Sequence, residues 1–213
     1  MPDLPLSTIL TFTLMATLLI VSPGPNGVLI AKTVPTSGKS AGFANIAGFF
    51  TAFYIHGTLA IFGWSAVLLK SAELFLVFKL VGAAYLGWIG LKALYDAWQG
   101  KVVKLDIPAS KRKRTLVPAY FEGLLTNALN PKVSMFYLAA FPQFMTPGSA
   151  SIANAYTLVF VHSMLNVTWF TLMILFFDRL KTAARSGAMQ RWIKGVTGMV
   201  FLSFSAKLAT YRP

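Results

Sequence analysis

The sequence predicts an all-α membrane protein: six transmembrane helices forming two inverted three-helix repeats, with helices 1 and 4 broken at Pro/Gly/Asn motifs. Three observations predict it. Of the 213 residues, 56% are hydrophobic and 12% charged, with a mean hydropathy of +0.65; soluble domains are far less apolar. Apolar runs long enough to cross a core of ~30 Å, which takes ~20 helical residues, recur along the chain. Two of them are interrupted by proline, glycine and asparagine where a membrane helix would be regular.

The six expected spans are Leu6–Ala31, Phe43–Leu69, Leu74–Ala97, Pro118–Phe144, Ile152–Phe177 and Ala188–Ala209. They make one transmembrane domain: repeat one over 1–98, a linker over 99–117 and repeat two over 118–213. Within the linker, Gln99–Thr115 is polar and carries Lys111-Arg112-Lys113-Arg114, a topology signal that also suits contact with anionic lipid. The first span does not read as a cleaved signal peptide: Met1-Pro2-Asp3 lacks basic residues, and cleavage after Ser22 would put proline beside the cut.

Orientation follows from the cations. Thirteen lysines and arginines fall after spans one, three and five, against Lys70, Lys79, Lys207 and Arg212 on the other side. The richer side is cytoplasmic, so both termini lie outside a bacterial inner membrane. The net charge of +13 is thereby a matter of topology rather than nucleic-acid binding. Trp98 and Trp192 fall near the cytoplasmic ends, as interface anchors do. Small residues four apart, Ala44, Gly48 and Ala52 among them, permit close helix packing.

The repeat rests on a few anchors. Pro25 and Pro131 stand 106 residues apart, as do Leu18-Leu19 and Leu124-Leu125, and as do His56 and His162, the chain's two histidines. Farther on, Gly82-Ala83-Ala84-Tyr85-Leu86 pairs with Gly198-Met199-Val200-Phe201-Leu202. Three spans per half insert the halves with opposite orientation, and broken helices in inverted repeats are where secondary transporters place their sites.

The breaks are Ser22-Pro23-Gly24-Pro25-Asn26 and Asn127-Ala128-Leu129-Asn130-Pro131-Lys132. Each proline removes a backbone donor and clashes with the preceding turn. At membrane depth, freed backbone groups are tolerated only inside protein or beside a wet cavity. A break leaves amides at one end and carbonyls at the other, which attract anions and cations respectively. An amino-acid zwitterion matches that pair: carboxylate at the amides after Pro25 and Pro131, ammonium at the carbonyls near Ser22 and Asn127. Asn26, Asn127 and Asn130 can serve either group, or satisfy the opened backbone alone.

Lys132 lies fifteen residues beyond Val117, roughly 22 Å at ~1.5 Å per residue. A lysine that deep either snorkels outward or has a function, here holding the substrate carboxylate or relaying charge. His56 and His162, near mid-span, are either packing residues or proton carriers. Glu122, near the start of span four, is a further proton candidate, and Asp178 falls at the cytoplasmic end of span five.

Other chemistry is thinly supplied. There is no cysteine, hence no thiol catalysis or disulfide. No deep carboxylate cluster suits a hard cation, and two histidines make a poor zinc set. No metal or cofactor is expected. The missing deep Asp and Glu also favour substrates with neutral side chains.

These residues resemble the LysE/RhtB family of amino-acid exporters. The resemblance is carried by Ser22-Pro23-Gly24-Pro25-Asn26, by Asn127-Ala128-Leu129-Asn130-Pro131-Lys132, by Gly48 with His56, and by Gly82, Leu86-Gly87 and Gly90-Leu91-Lys92. It covers nearly the whole chain; span six departs, with Ser203 where span three has Gly87. The resemblance implies export of an amino acid or related metabolite from bacterial cytoplasm, driven by proton exchange. Two alternatives stay open here: an intramembrane enzyme built on the histidines, and a passive channel. Homo-oligomer formation is left open.

Overall fold

The computed structural model describes residues 4–70, 72–101, 115–144, 152–177 and 187–210, and these are helical with no strand among them. In chain order the helices are α1 (Leu6–Val21), α2 (Pro25–Ser37), α3 (Lys39–Lys70), α4 (Ala72–Trp98), α5 (Leu116–Ala128), α6 (Pro131–Met135), α7 (Ile152–Leu175) and α8 (Gly187–Thr210). Between α6 and α7 the chain makes a π-helical turn over Phe136–Ala140 and a 3-10 turn over Phe141–Phe144.

Among the described residues, Lys39–Gly63 of α3 and Ile152–Leu175 of α7 are long and apolar enough to cross a membrane. The bent pair α1–α2, turned by 52° at its break, makes a third span if counted as one. α4 and α8, of 27 and 24 residues, are about 40 and 36 Å long at ~1.5 Å per residue; they have the reach but carry more charge. Large apolar side chains face outward, among them Leu6, Leu10 and Leu14 on α1 and Trp88 and Leu91 on α4, a surface suited to lipid rather than water. Trp98 and Trp192 are also outward, 78% and 67% exposed. Most of the linker, residues 102–114, lies outside the described residues, as does Asp178.

Two elements depart from the sequence expectation. The first span does not stop near Ala31: α2 continues to Ser37, and Gly38 alone separates it from α3. Lys32 and Lys39 thus sit in helices rather than a loop. Hydropathy fades at Lys32, but the helix runs on through Pro35 to Gly38, whose φ of 87° is a left-handed conformation glycine adopts readily. The fourth span is more irregular than one break implies, because α6 lasts five residues. Pro142 has no N–H for Leu138 in an α ladder, and the chain loosens to π and tightens to 3-10 around it.

Between apolar helices in lipid, close packing holds helices together, and glycines set two of the crossings. A Cβ on Gly48 of α3 would collide with Tyr120 O and Leu124 N of α5, and one on Gly123 of α5 would collide with Asn45 O. The α3–α5 backbones therefore touch, and Asn45 Nδ2 donates to Ala119 O at 2.6 Å. On the other side, a Cβ on Gly90 of α4 would lie 2.9 Å from Gly198 O of α8, and Ser205 Oγ donates to Ala83 O at 2.7 Å. Phe12, Phe49, Phe53, Phe136 and Phe141 fill the centre, all at most 1% exposed.

Candidate functional site

The two breaks face one another, joined by side-chain hydrogen bonds. α1 ends as Ser22 N–H donates to Leu18 O. The chain then runs extended through Ser22 and Gly24 before Pro25 opens α2. Proline suits the first helical position, where its missing N–H would have had no partner. Pro131 opens α6 in the same way. The ends are finished differently. Asn130 caps α6, its Oδ1 accepting from Lys132 N at 3.1 Å, whereas Gly24 gives α2 no side-chain cap. Asn26 and Gly27, in that uncapped first turn, line a cavity.

Side chains lock the breaks together. Asn130 Nδ2 donates to Asn26 Oδ1 at 3.4 Å, Asn26 Nδ2 to Asn127 Oδ1 at 2.9 Å, and Asn127 Nδ2 to Phe49 O at 2.9 Å. All three asparagines are buried, where an unpaired amide would be costly. Lys132 Nζ crosses from α6 to donate to Ser22 O at 2.8 Å. Gly24 makes room for it: a Cβ there would sit 3.1 Å from that Nζ. Among the described residues no carboxylate lies within ion-pair distance of Lys132.

His56 of α3 is buried, and its Nε2 donates to Asn127 O at 3.2 Å; a carbonyl only accepts, so the proton is on Nε2. His162 of α7 is fully buried, its ring 4.3 Å from Phe53 and 5.2 Å from Phe136. Neither of its nitrogens has a hydrogen-bond partner among the described residues. Between the histidines stands Tyr137, with ring centroids 5.8 Å from His56 and 5.6 Å from His162 and planes within 14° and 10° of parallel.

The cavity measures about 310 Å³, in the range of small-molecule sites. Of the residues expected at a site, Ser22, Pro23, Gly24, Asn26, Asn130, Lys132 and His162 line it. Pro25, Pro131 and Asn127 are not among the lining residues: the two prolines are exposed, and Asn127 is the buried link between Asn26 and His56. Glu122, half-buried on α5, is not at the cavity. The two carbonyls expected to await an ammonium differ from expectation: Ser22 O already accepts from Lys132, and Asn127 O from His56 and from Asn130 N.

Sequence reasoning missed Asn166, Trp169 and Phe170, which also line the cavity, and Tyr137. The signal for Asn166 was present: a polar residue inside an apolar helix, one turn beyond His162 on the same face. Tyr137 carried none, because its place between the histidines depends on how distant helices dock.

The cavity is solute-sized and lined from both broken helices, with a lysine and asparagines among its lining residues, an arrangement that suits a membrane transporter. The chain belongs to the LysE type translocator family, whose model matches residues 17–212. It is 30% identical to the leucine efflux protein of Klebsiella pneumoniae, over 94% of each chain. It is 25% identical to the threonine efflux protein of Salmonella typhi, over 91% of this chain and 93% of that one. To the homoserine/homoserine lactone efflux protein of Salmonella typhi it is 28% identical, over 94% and 95%. No solved structure matches it.

Proposed function

We propose that the protein exports a small amino acid or related metabolite from the cytoplasm across the bacterial inner membrane, by proton-coupled antiport. The observation that carries this is Lys132: a cation at the meeting of both breaks, on the cavity wall, with no carboxylate beside it among the described residues. Its natural counter-charge is a substrate carboxylate, which the Asn26 and Gly27 amides of the uncapped α2 terminus also favour. The names of the leucine, threonine and homoserine efflux relatives support an amino acid.

Alternating access follows from the two inverted repeats rocking against each other about this site. The pairing of the helices supports that architecture. Spans three and six pack together as α4 and α8, and spans two and five as α3 and α7, so each meets its own repeat partner. A cation-rich side after spans one, three and five that faces the cytoplasm, and external termini, complete the topology. His56 and His162 are the proposed proton carriers, with Glu122 in reserve. A charged His162 and a bound ammonium repel across one cavity, which makes proton and substrate mutually exclusive, as exchange requires.

The test is uptake of labelled amino acids into inverted membrane vesicles, with and without a pH gradient. Accumulation that collapses with the gradient supports antiport. Flux down the substrate gradient alone would make the protein a channel, and no flux for any amino acid would remove the proposal.

A further inference from the structure

Six residues of α7, His162, Asn166, Trp169, Phe170, Met173 and Phe177 with its C-terminal extension, line the cavity. Their spacings of four, three, one, three and four residues put them on one stripe of the helix. The stripe is polar at His162 and Asn166 and apolar beyond. Asn166 is 2% exposed, and its Oδ1 has no hydrogen-bond partner among the described residues; His162 is 0% exposed with both nitrogens unpartnered. Buried acceptors without donors are costly, and on a cavity wall a donor arriving with a ligand relieves that cost. An ammonium brings three N–H donors.

We infer that α7 is the recognition element for the rest of the substrate: Asn166 Oδ1, with the His162 ring, accepts the ammonium, while Trp169, Phe170 and Met173 receive an apolar side chain. This rests on the carboxylate position at Lys132 proposed above. The protein's own bonds to Ser22 O and Asn127 O leave those carbonyls less open, whereas Asn166, a residue of the cavity lining, carries a buried acceptor with no partner among the described residues, which a small side-chain rotation would present to a ligand. Leu19 and Ile20 of α1 and Ile193 of α8 extend the apolar end. Among the described residues no carboxylate lines the cavity, so a lysine or arginine side chain finds no counter-charge among them, whereas the apolar stretch of the lining suits an apolar side chain better than a hydroxyl. The substrate class is an α-amino acid with an uncharged, apolar side chain of leucine or methionine size.

The experiment is competition binding on the purified full-length protein, using L-leucine, L-lysine, L-threonine, and 4-methylpentanoate, which is leucine without its amino group. Wild type is expected to prefer L-leucine to L-lysine and L-threonine and to bind 4-methylpentanoate more weakly. Asn166→Ala should lose about tenfold or more for L-leucine, the scale of a hydrogen bond to a charged group, while its affinity for 4-methylpentanoate stays within about twofold. Asn166→Asp keeps an acceptor and should hold L-leucine. Trp169→Ala should narrow the gap between L-leucine and L-threonine. Unchanged L-leucine binding in Asn166→Ala, or parallel loss of both ligands in both Asn166 variants, overturns the inference and leaves the carboxylate site standing. If wild type binds L-leucine and 4-methylpentanoate but Lys132→Met binds both equally well, the carboxylate reading fails instead. If wild type binds none of the four, both fail together.

Discussion

Lys132 Nζ donates to Ser22 O across 2.8 Å, so the side chain that opens the second broken helix closes the end of the first. One bond joins two segments that lie 110 residues apart. It also places a cation where a helix N-terminus meets the cavity.

Replacing that cation tests its role in binding. Lys132→Met removes a charge-assisted hydrogen bond of about 1.5–3 kcal/mol, which is roughly ten- to a hundredfold in substrate affinity. Lys132→Arg is expected to restore only part of it, because the guanidinium is planar and wider than the ammonium. Titration of purified variants with labelled substrate measures both. Equal affinity in all three proteins would move the carboxylate elsewhere.

Gly24→Ala makes a subtler change. The new Cβ would stand 3.1 Å from Lys132 Nζ, so the ammonium must yield by a few tenths of an ångström, which disturbs its bond to Ser22 O without touching the fold. Export is expected to fall severalfold while the protein remains inserted and folded, as followed by export assay and thermal unfolding in detergent. Gly48→Ala should do the opposite. It collides with the α5 backbone at Tyr120 and Leu124, and overpacking of that kind costs about 1–3 kcal/mol, read as a lower unfolding temperature.

His56 separates coupling from binding. With His56→Gln, substrate-for-substrate exchange should persist, since it moves no net proton, while export should lose its response to the pH gradient; His162→Gln, which also alters an acceptor for the ammonium, should lose that response together with part of the substrate affinity. Counterflow and gradient-driven flux in the same vesicles give both numbers. Full gradient-driven export in both variants would move the proton path to Glu122.

Much of this site was legible in the sequence because prolines act locally. Pro25 and Pro131 break a helix wherever it goes, so the breaks, their asparagines and Lys132 stood out before any packing was known. The shared wall was less legible. That Asn26 meets Asn127, or that Ser22 O is taken by Lys132, depends on how two distant segments dock. Asn166 was passed over because one asparagine in an apolar run has no partner in sequence to mark it. Tyr137 was hidden for a different reason: its ring stacks between His56 of α3 and His162 of α7, a docking that no spacing within its own segment reveals. The end of α2 was misjudged because hydropathy reports the membrane, whereas helix termination at Gly38 reports the backbone.

The topology has its own test. Reporter fusions after Gln99 and after Ser186 should read cytoplasmic and a fusion at Pro213 external. A cytoplasmic C-terminus would overturn the orientation and the inverted repeat together.

The chain has no cysteine, which allows the central claim, that the meeting of the two breaks is where substrate binds, to be tested at one atom. Gly27 lines the cavity, and the nearest atom to a Cβ there is Phe170 Cε1 at 4.0 Å, so Gly27→Cys is accommodated. The measurement is the rate at which a membrane-permeant maleimide labels that single thiol as L-leucine is raised to saturation. The rate is expected to fall saturably, with the same half-point as transport. A labelling rate indifferent to an amino acid that the same vesicles export would contradict the account.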